Sequence, residues 1–201
     1  MPIRRCAAMR ESLALATAAI ARLPRDSRTL VAVDGIDGAG KTTFADALAT
    51  QPINRVLVRA SGDDFHNPSA IRYRRGRQSP EGFYLDSFDI RALTELLLKP
   101  FAAGRPFRCA SFDLQADSPV AAESVDAPAD AVLILDGLFL HRAELRDWWD
   151  LSILLDVSPA VAAQRLRHRD GKPVRHRYVR GQQLYFAEAD PAKAASLVLR
   201  W

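Results

Sequence analysis

Gly35-Ile36-Asp37-Gly38-Ala39-Gly40-Lys41-Thr42 fits the pattern Gly-x-x-x-x-Gly-Lys-[Ser/Thr] at every position, and nothing else in the chain constrains its fold as strongly. The preceding run, Thr29-Leu30-Val31-Ala32-Val33, is short, apolar and β-branched, and reads as a buried strand. The following run, Phe44-Ala45-Asp46-Ala47-Leu48, has helical spacing and good helix formers. Strand, glycine loop and helix together make this motif a phosphate-binding P-loop. Glycines let backbone N–H groups turn inward around an anion. The helix N-terminus adds partial positive charge. Lys41 is suited to the β- and γ-phosphates, and the Thr42 hydroxyl to Mg²⁺. A nucleoside triphosphate is the expected ligand, held by Gly35, Asp37, Gly38, Ala39, Gly40, Lys41 and Thr42.

Further apolar runs follow at 55–59, 131–135, 151–157 and 196–199, separated by helical patterns near 88–99, 159–168 and 179–188. A first helix is expected over 6–23. Residues 66–84, rich in Arg, Gly and Pro, read as a loop over a site, 105–114 as a strand or hairpin, and 115–129 as a loop. Pro100 is expected to close the helix near 88–99. Strands alternating with helices predict an α/β fold, a parallel sheet sandwiched between helices, as one domain over residues 1–201. Ligands of such sheets bind outside the carboxyl ends of the strands. Asp34, the Asp63-Asp64 pair and Asp136 all fall at such ends, so they are expected to surround one site.

Phosphoryl transfer needs a metal, a base and positive charge on the moving group. Thr42 and Asp136 are the candidate metal residues. Asp63 is the candidate base, with Asp64 as its competitor. Arg165 to Lys172, with Arg175 and Arg177 beyond, is basic and carries Gly171 and Pro173. It is expected to form an Arg-rich lid over about 165–178. Phe65, His66, Arg72, Tyr84, Asp86, Phe112 and Asp113 interleave aromatics and charges, as the wall of a polar small-molecule pocket would.

Composition excludes several classes. The 24 Arg and four Lys fall in short clusters, without the long basic stripe of a nucleic-acid binder. No apolar run approaches the roughly 20 residues of a membrane span. Cys6 and Cys109 have neither metal-ligand spacing nor a disulfide framework, so a reducing, cytoplasmic setting is expected. Neither Asn54 nor Asn67 begins the Asn-Lys-x-Asp motif of a guanine reader. Trp148-Trp149 is either an exposed patch or a cover for the sheet edge.

In order along the chain stand Gly35 to Thr43, Asp63-Asp64-Phe65-His66, Ser79 to Tyr84, Asp86 to Asp89, Ser111 to Leu114, Leu135 to Phe139 and Arg165 to Asp170. This succession resembles the uridine kinase and phosphoribulokinase group of P-loop kinases, over about residues 29–199. The resemblance implies ATP as donor, Mg²⁺ as cofactor and a small-molecule hydroxyl acceptor. It extends the phosphate loop to Thr43. It assigns the base to Asp63 and metal support to Asp136. ATP phosphates fall to Arg165 and Arg169, and the acceptor pocket to Phe112 and Asp113. Two positions depart from the group: Asp117 stands where its base-reading His would be, and Phe83 near its ribose-binding acid. Uridine or cytidine is the first acceptor expected, with pantothenate-like or sugar-like molecules as alternatives.

Overall fold

The computed structural model describes residues 2–171 and 175–200, with side chains from residue 9 onward. Lys172 and Pro173, part of the expected lid, lie outside the described residues, as does the side chain of Cys6. The chain opens with α1 (Pro2–Ala21), β1 (Thr29–Gly35), α2 (Lys41–Ala49) and β2 (Leu57–Ser61). A 3₁₀ turn, Gly62–Phe65, leads to α3 (Ser69–Arg72) and α4 (Pro80–Asp86). One helical stretch then joins α5 (Ile90–Ala92), a π-helical Leu93–Leu98 and α6 (Lys99–Ala102). A small hairpin follows, β3 (Phe112–Asp113) with β4 (Ser118–Pro119), then β5 (Val132–Asp136) and β6 (Leu151–Asp156). The order ends α7 (Pro159–Asp170), α8 (His176–Ala189), α9 (Pro191–Ala194) and β7 (Leu197–Arg200).

Five strands form a parallel sheet in the order β2-β5-β1-β6-β7. The chain leaves β1 for β2 on one side, and β6 and β7 lie on the other. The carboxyl end of β1 is therefore the switch point where such sheets bind ligands. Alternate side chains of one strand feed opposite faces. Val31, Val33, Val132 and Ile134 join one core with Phe44 and Leu48 of α2. Leu30, Ala32, Leu133 and Leu135 join the other, with Leu93, Leu97 and Phe101. This two-sided burial is why the strands read as continuous apolar runs. Trp148 and Trp149 pack against the second core, so they cover the sheet and do not stand out as a patch. A third, aromatic cluster of Phe83, Tyr84, Phe88, Phe139 and Tyr185 binds α4 to α8.

Several boundaries differ from expectation: α1 runs over Pro2–Ala21 and not 6–23, and β4 falls inside the expected loop 115–129. The second strand runs over Leu57–Ser61 and not 55–59, because Arg55 turns under the sheet to the carbonyls of Asp130 and Ser27. The helix near 88–99 starts one cap later and passes through Pro100. Asp89 caps it by accepting from the Ala92 N–H at 2.8 Å. Pro100 has no N–H for the Leu96 carbonyl, which accepts from Arg108 N at 2.8 Å instead, so the helix continues to Ala102. Residues 66–84 contain two helices where a loop was expected.

Candidate active site

The P-loop wraps the carboxyl end of β1. Gly38 and Gly40 take φ of 79° and 89°, the left-handed region that a side chain makes costly. Gly38 also sits against α7, since a Cβ there would lie 2.6 Å from the Ala162 carbonyl oxygen. Arg165 of α7 donates to the Ala39 carbonyl at 2.8 Å. From α8, Gln182 Oε1 accepts from the Asp37 N–H at 2.6 Å. Residues 165–170 of the expected lid are thus the last turns of α7 and 176–178 the first turn of α8, and both helices touch the loop.

A polar cavity of about 310 Å³ lies over this loop. Asp37, Gly38, Gly40, Lys41, Thr42 and Thr43 line it. Asp63, Asp136, Arg165 and Arg169 line it too, with Gly137, Leu138 and Leu166. Gly35 and Ala39 do not line the cavity; Ala39 is fully buried. Burial lowers the Lys41 ammonium from its ordinary 10.5, and the charges of Asp34, Asp37, Asp63 and Asp136 oppose that fall. Its Nζ donates to the Ile36 carbonyl at 3.1 Å.

Thr42 Oγ1 donates to Asp136 Oδ2 at 2.7 Å. Two hard oxygen donors thus meet at the end of β5, the donor type that Mg²⁺ takes together with waters and phosphate oxygens. Among the described residues no group of three or more His, Cys, Asp or Glu could hold a metal ion. The other Asp136 oxygen accepts from Arg59 of β2 at 2.8 Å. Arg59 is absent from the sequence reading, where it closes an expected strand. Its signal is an arginine set among Leu57, Val58 and Ala60, four positions before Asp63.

Ser61 Oγ accepts from the Asp63 N–H at 3.3 Å and starts the 3₁₀ turn that carries both acids. Asp63 reaches the cavity, whereas Asp64 is not among its lining residues. Burial, then the charges of Asp63 and Asp136, raise the Asp64 carboxyl above its ordinary 3.8. His66 Nδ1–H donates to the Asp63 carbonyl at 2.8 Å, with its ring 4.5 Å from that of Phe88. Burial lowers its pKa from 6.5, which keeps it neutral at pH 7.

The other expected pocket residues do not line this cavity. Phe65, Tyr84 and Phe112 are buried, Phe65 in the second core and Tyr84 in the aromatic cluster. Asp113 accepts from the N–H groups of Gln115 and Ala116 and so caps the hairpin turn. Arg72 pairs with Asp117 at 2.7 Å. Asp86, expected on the pocket wall, is 1% exposed and is held by Arg74 and Arg75 at 2.5 and 2.8 Å. Arg177 points away from the cavity, stacking over Tyr73 and donating to the Arg77 carbonyl.

Asp34 corrects the expectation of a shared site most clearly. It is fully buried under the loop and does not line the cavity. Its carboxylate accepts from Gly35 N at 2.7 Å, Leu140 N at 3.1 Å, His141 Nδ1 at 2.8 Å and the Tyr185 hydroxyl. One buried acid thus ties the root of the P-loop to α8 and to the segment after β5. Neither His141 nor Tyr185 carries a sequence signal for this role.

No protein-family model matches the chain. Thymidylate kinase from Xanthomonas campestris is 31% identical over 153 residues, which cover 72% of this chain and 63% of that protein. A probable thymidylate kinase from Archaeoglobus fulgidus is 33% identical over 146 residues, 70% of each chain. Among solved structures, a possible uridine kinase from Bacillus stearothermophilus superposes with a TM-score of 0.77 at 23% identity, covering 94% of this chain and 98% of that one. A candidate fructose transport system kinase from Silicibacter sp. TM1040 gives 0.68 at 27% identity, with the same coverage. Phosphoribulokinase from Rhodobacter spheroides gives 0.60 at 14% identity, over 88% of this chain and 71% of that one. Among the described residues no helix is long and apolar enough to cross a membrane. The chain belongs to the P-loop kinases, with the fold of the uridine kinase and phosphoribulokinase group.

Proposed function

We propose that this chain transfers the γ-phosphoryl group of ATP to the hydroxyl of a small acceptor that carries no phosphate. The observation that carries the reading is that Asp63 shares one cavity with Lys41, Thr42, Asp136, Arg165 and Arg169. The P-loop amides and Lys41 hold the β- and γ-phosphates. Asp63 accepts the proton of the acceptor hydroxyl, and neutral His66 fixes the turn that aims it. Arg165 and Arg169 sit on one face of α7, four residues apart, and neutralise charge on the moving group; Arg169 pairs in this structure with Asp170, an exposed partner that it can leave. Mg²⁺, held at Thr42 and Asp136, would offset charge on the β- and γ-phosphate oxygens.

The relatives named thymidylate kinase favour a second reading, with a nucleoside monophosphate as acceptor. A phosphate acceptor needs arginines that are not already committed. Within residues 66–84, Arg72 is paired with Asp117, Arg74 and Arg75 with Asp86, and Arg77 lies over the Tyr73 ring. That commitment favours a hydroxyl acceptor without a phosphate. Uridine and cytidine are the first candidates, ahead of pantothenate-like and sugar-like molecules. A third reading, a nucleotide-binding protein without catalysis, shares the cavity and differs only in turnover.

The test is ADP release by the purified chain with Mg·ATP and single acceptors from each class. Acceptor-dependent release that Asp63→Asn abolishes supports the proposal. Tight ATP binding with no turnover on any acceptor supports the silent reading.

A further inference from the structure

The proposed metal carboxylate, Asp136, already has a fixed cation. Arg59 Nη2 stands 2.8 Å from Asp136 Oδ1 and 2.9 Å from Asp46 Oδ1. Its Nε also donates to Asp46 Oδ1 at 3.0 Å, and its Nη1 to the carbonyls of Ala60 and Ile134. The guanidinium is thus held by five contacts from α2, β2 and β5. The Asp136 side chain is 3% exposed, so water screens this pair weakly. Its second oxygen faces Thr42. We propose that Arg59 is a positioning residue of the kinase site. It fixes Asp136 so that only Oδ2 faces the metal, and it cancels enough charge that a divalent cation is retained only when a triphosphate accompanies it.

The proposal rests on the kinase reading for the identity of the nucleotide, but its physical content is separate. Two oxygen donors with one carboxylate charge, already offset by a guanidinium, attract free Mg²⁺ feebly. A triphosphate restores the missing negative charge and the missing oxygens. Arg59 and Asp46 form a balance. Removing Arg59 exposes the full charge of Asp136, whereas neutralising Asp46 throws more of the Arg59 charge onto it.

The experiment is Mg²⁺ titration by calorimetry at constant ionic strength, without nucleotide and then with a non-hydrolysable ATP analogue. For Arg59→Met, Mg²⁺ alone is expected to bind roughly tenfold or more tighter than to the wild type, from the loss of one nearby unit charge. Asp46→Asn alters a largely exposed carboxylate and is the variant of choice should Arg59→Met not fold. It is expected to raise the Mg²⁺ concentration needed to retain the analogue by about threefold. Equal Mg²⁺ affinities in the wild type and Arg59→Met overturn the proposal, as does an unchanged Mg²⁺ requirement in Asp46→Asn. Failure of the wild type to bind the ATP analogue at all would instead overturn the kinase reading.

Discussion

Gly38 is the contact through which α7 is seated on the phosphate loop, and replacing it with alanine tests that seating. At φ of 79° a Cβ brings a backbone cost of about 1–2 kcal/mol. It would also lie 2.6 Å from the Ala162 carbonyl oxygen and 2.8 Å from Leu166 Cγ. One contact is backbone, so relief requires α7 to move, an overpacking cost of about 1–3 kcal/mol. Gly104 is the control. Its φ is 67° and nothing lies within 4 Å of its Cβ position, so Gly104→Ala carries the backbone cost alone. Urea denaturation of both variants is expected to separate them by about 1–3 kcal/mol. Movement of α7 also breaks the Arg165 contact to the Ala39 carbonyl, so Gly38→Ala should weaken ATP-analogue binding roughly tenfold, about 1.4 kcal/mol. Gly104→Ala should leave that binding unchanged. Equal denaturation midpoints and equal nucleotide affinities for the two variants would refute the seating of α7 on the loop.

Three other outcomes follow from the same geometry. Asp63→Asn should cut phosphoryl transfer by about 10²–10⁴-fold while ATP-analogue affinity holds, and steady-state kinetics beside calorimetry reads both. Tyr185→Phe should cost about 1–3 kcal/mol in chemical denaturation, since it strips one donor from buried Asp34 and the acceptor of His141 N. Burial pushes the Asp86 carboxyl up, but the hydrogen bonds from Arg74 and Arg75 outweigh it and hold it below 3.8. A depressed folded-state value means stabilisation that is present above pH 3.8 and lost as pH falls through the folded value. Asp86→Asn should therefore flatten the acid limb of the stability profile, and an unchanged limb would show that the pair is not the acid-sensitive element.

The sheet and the phosphate loop were legible because their signals are local. A continuous apolar run means burial on both faces, and the glycine pattern demands left-handed backbone at Gly38 and Gly40. The cavity wall was legible for the same reason, since Asp136 ends β5 and Asp63 stands in the turn that directly follows β2. The substrate-side reading travelled less well. Phe65, Tyr84 and Phe112 looked like pocket walls, but aromatic side chains near a site serve equally as its packing. The Arg bias was ambiguous for a similar reason. Arg28, Arg55, Arg142 and Arg177 are buried structural donors, whereas Arg165 and Arg169 face the cavity. The start of α4 carries a local signal of its own. Ser79 caps it by accepting from Gly82 N, Pro80 takes the first turn and Glu81 adds favourable charge. What no local pattern could supply was the long-range set. Asp34 with His141 and Tyr185, and Asp136 with Arg59, join residues 77 to 151 positions apart.

The measurement that bears most directly on the central reading is the ³¹P spectrum of the product formed from Mg·ATP. The purified chain would be offered uridine, cytidine, pantothenate and sugars in one series and nucleoside monophosphates in another. Transfer to a hydroxyl creates a phosphomonoester, and transfer to a phosphate creates a phosphoanhydride; the two resonate apart. The account predicts a phosphomonoester from an acceptor of the first series, absent with Asp63→Asn. A phosphoanhydride formed from nucleoside monophosphates alone would contradict it.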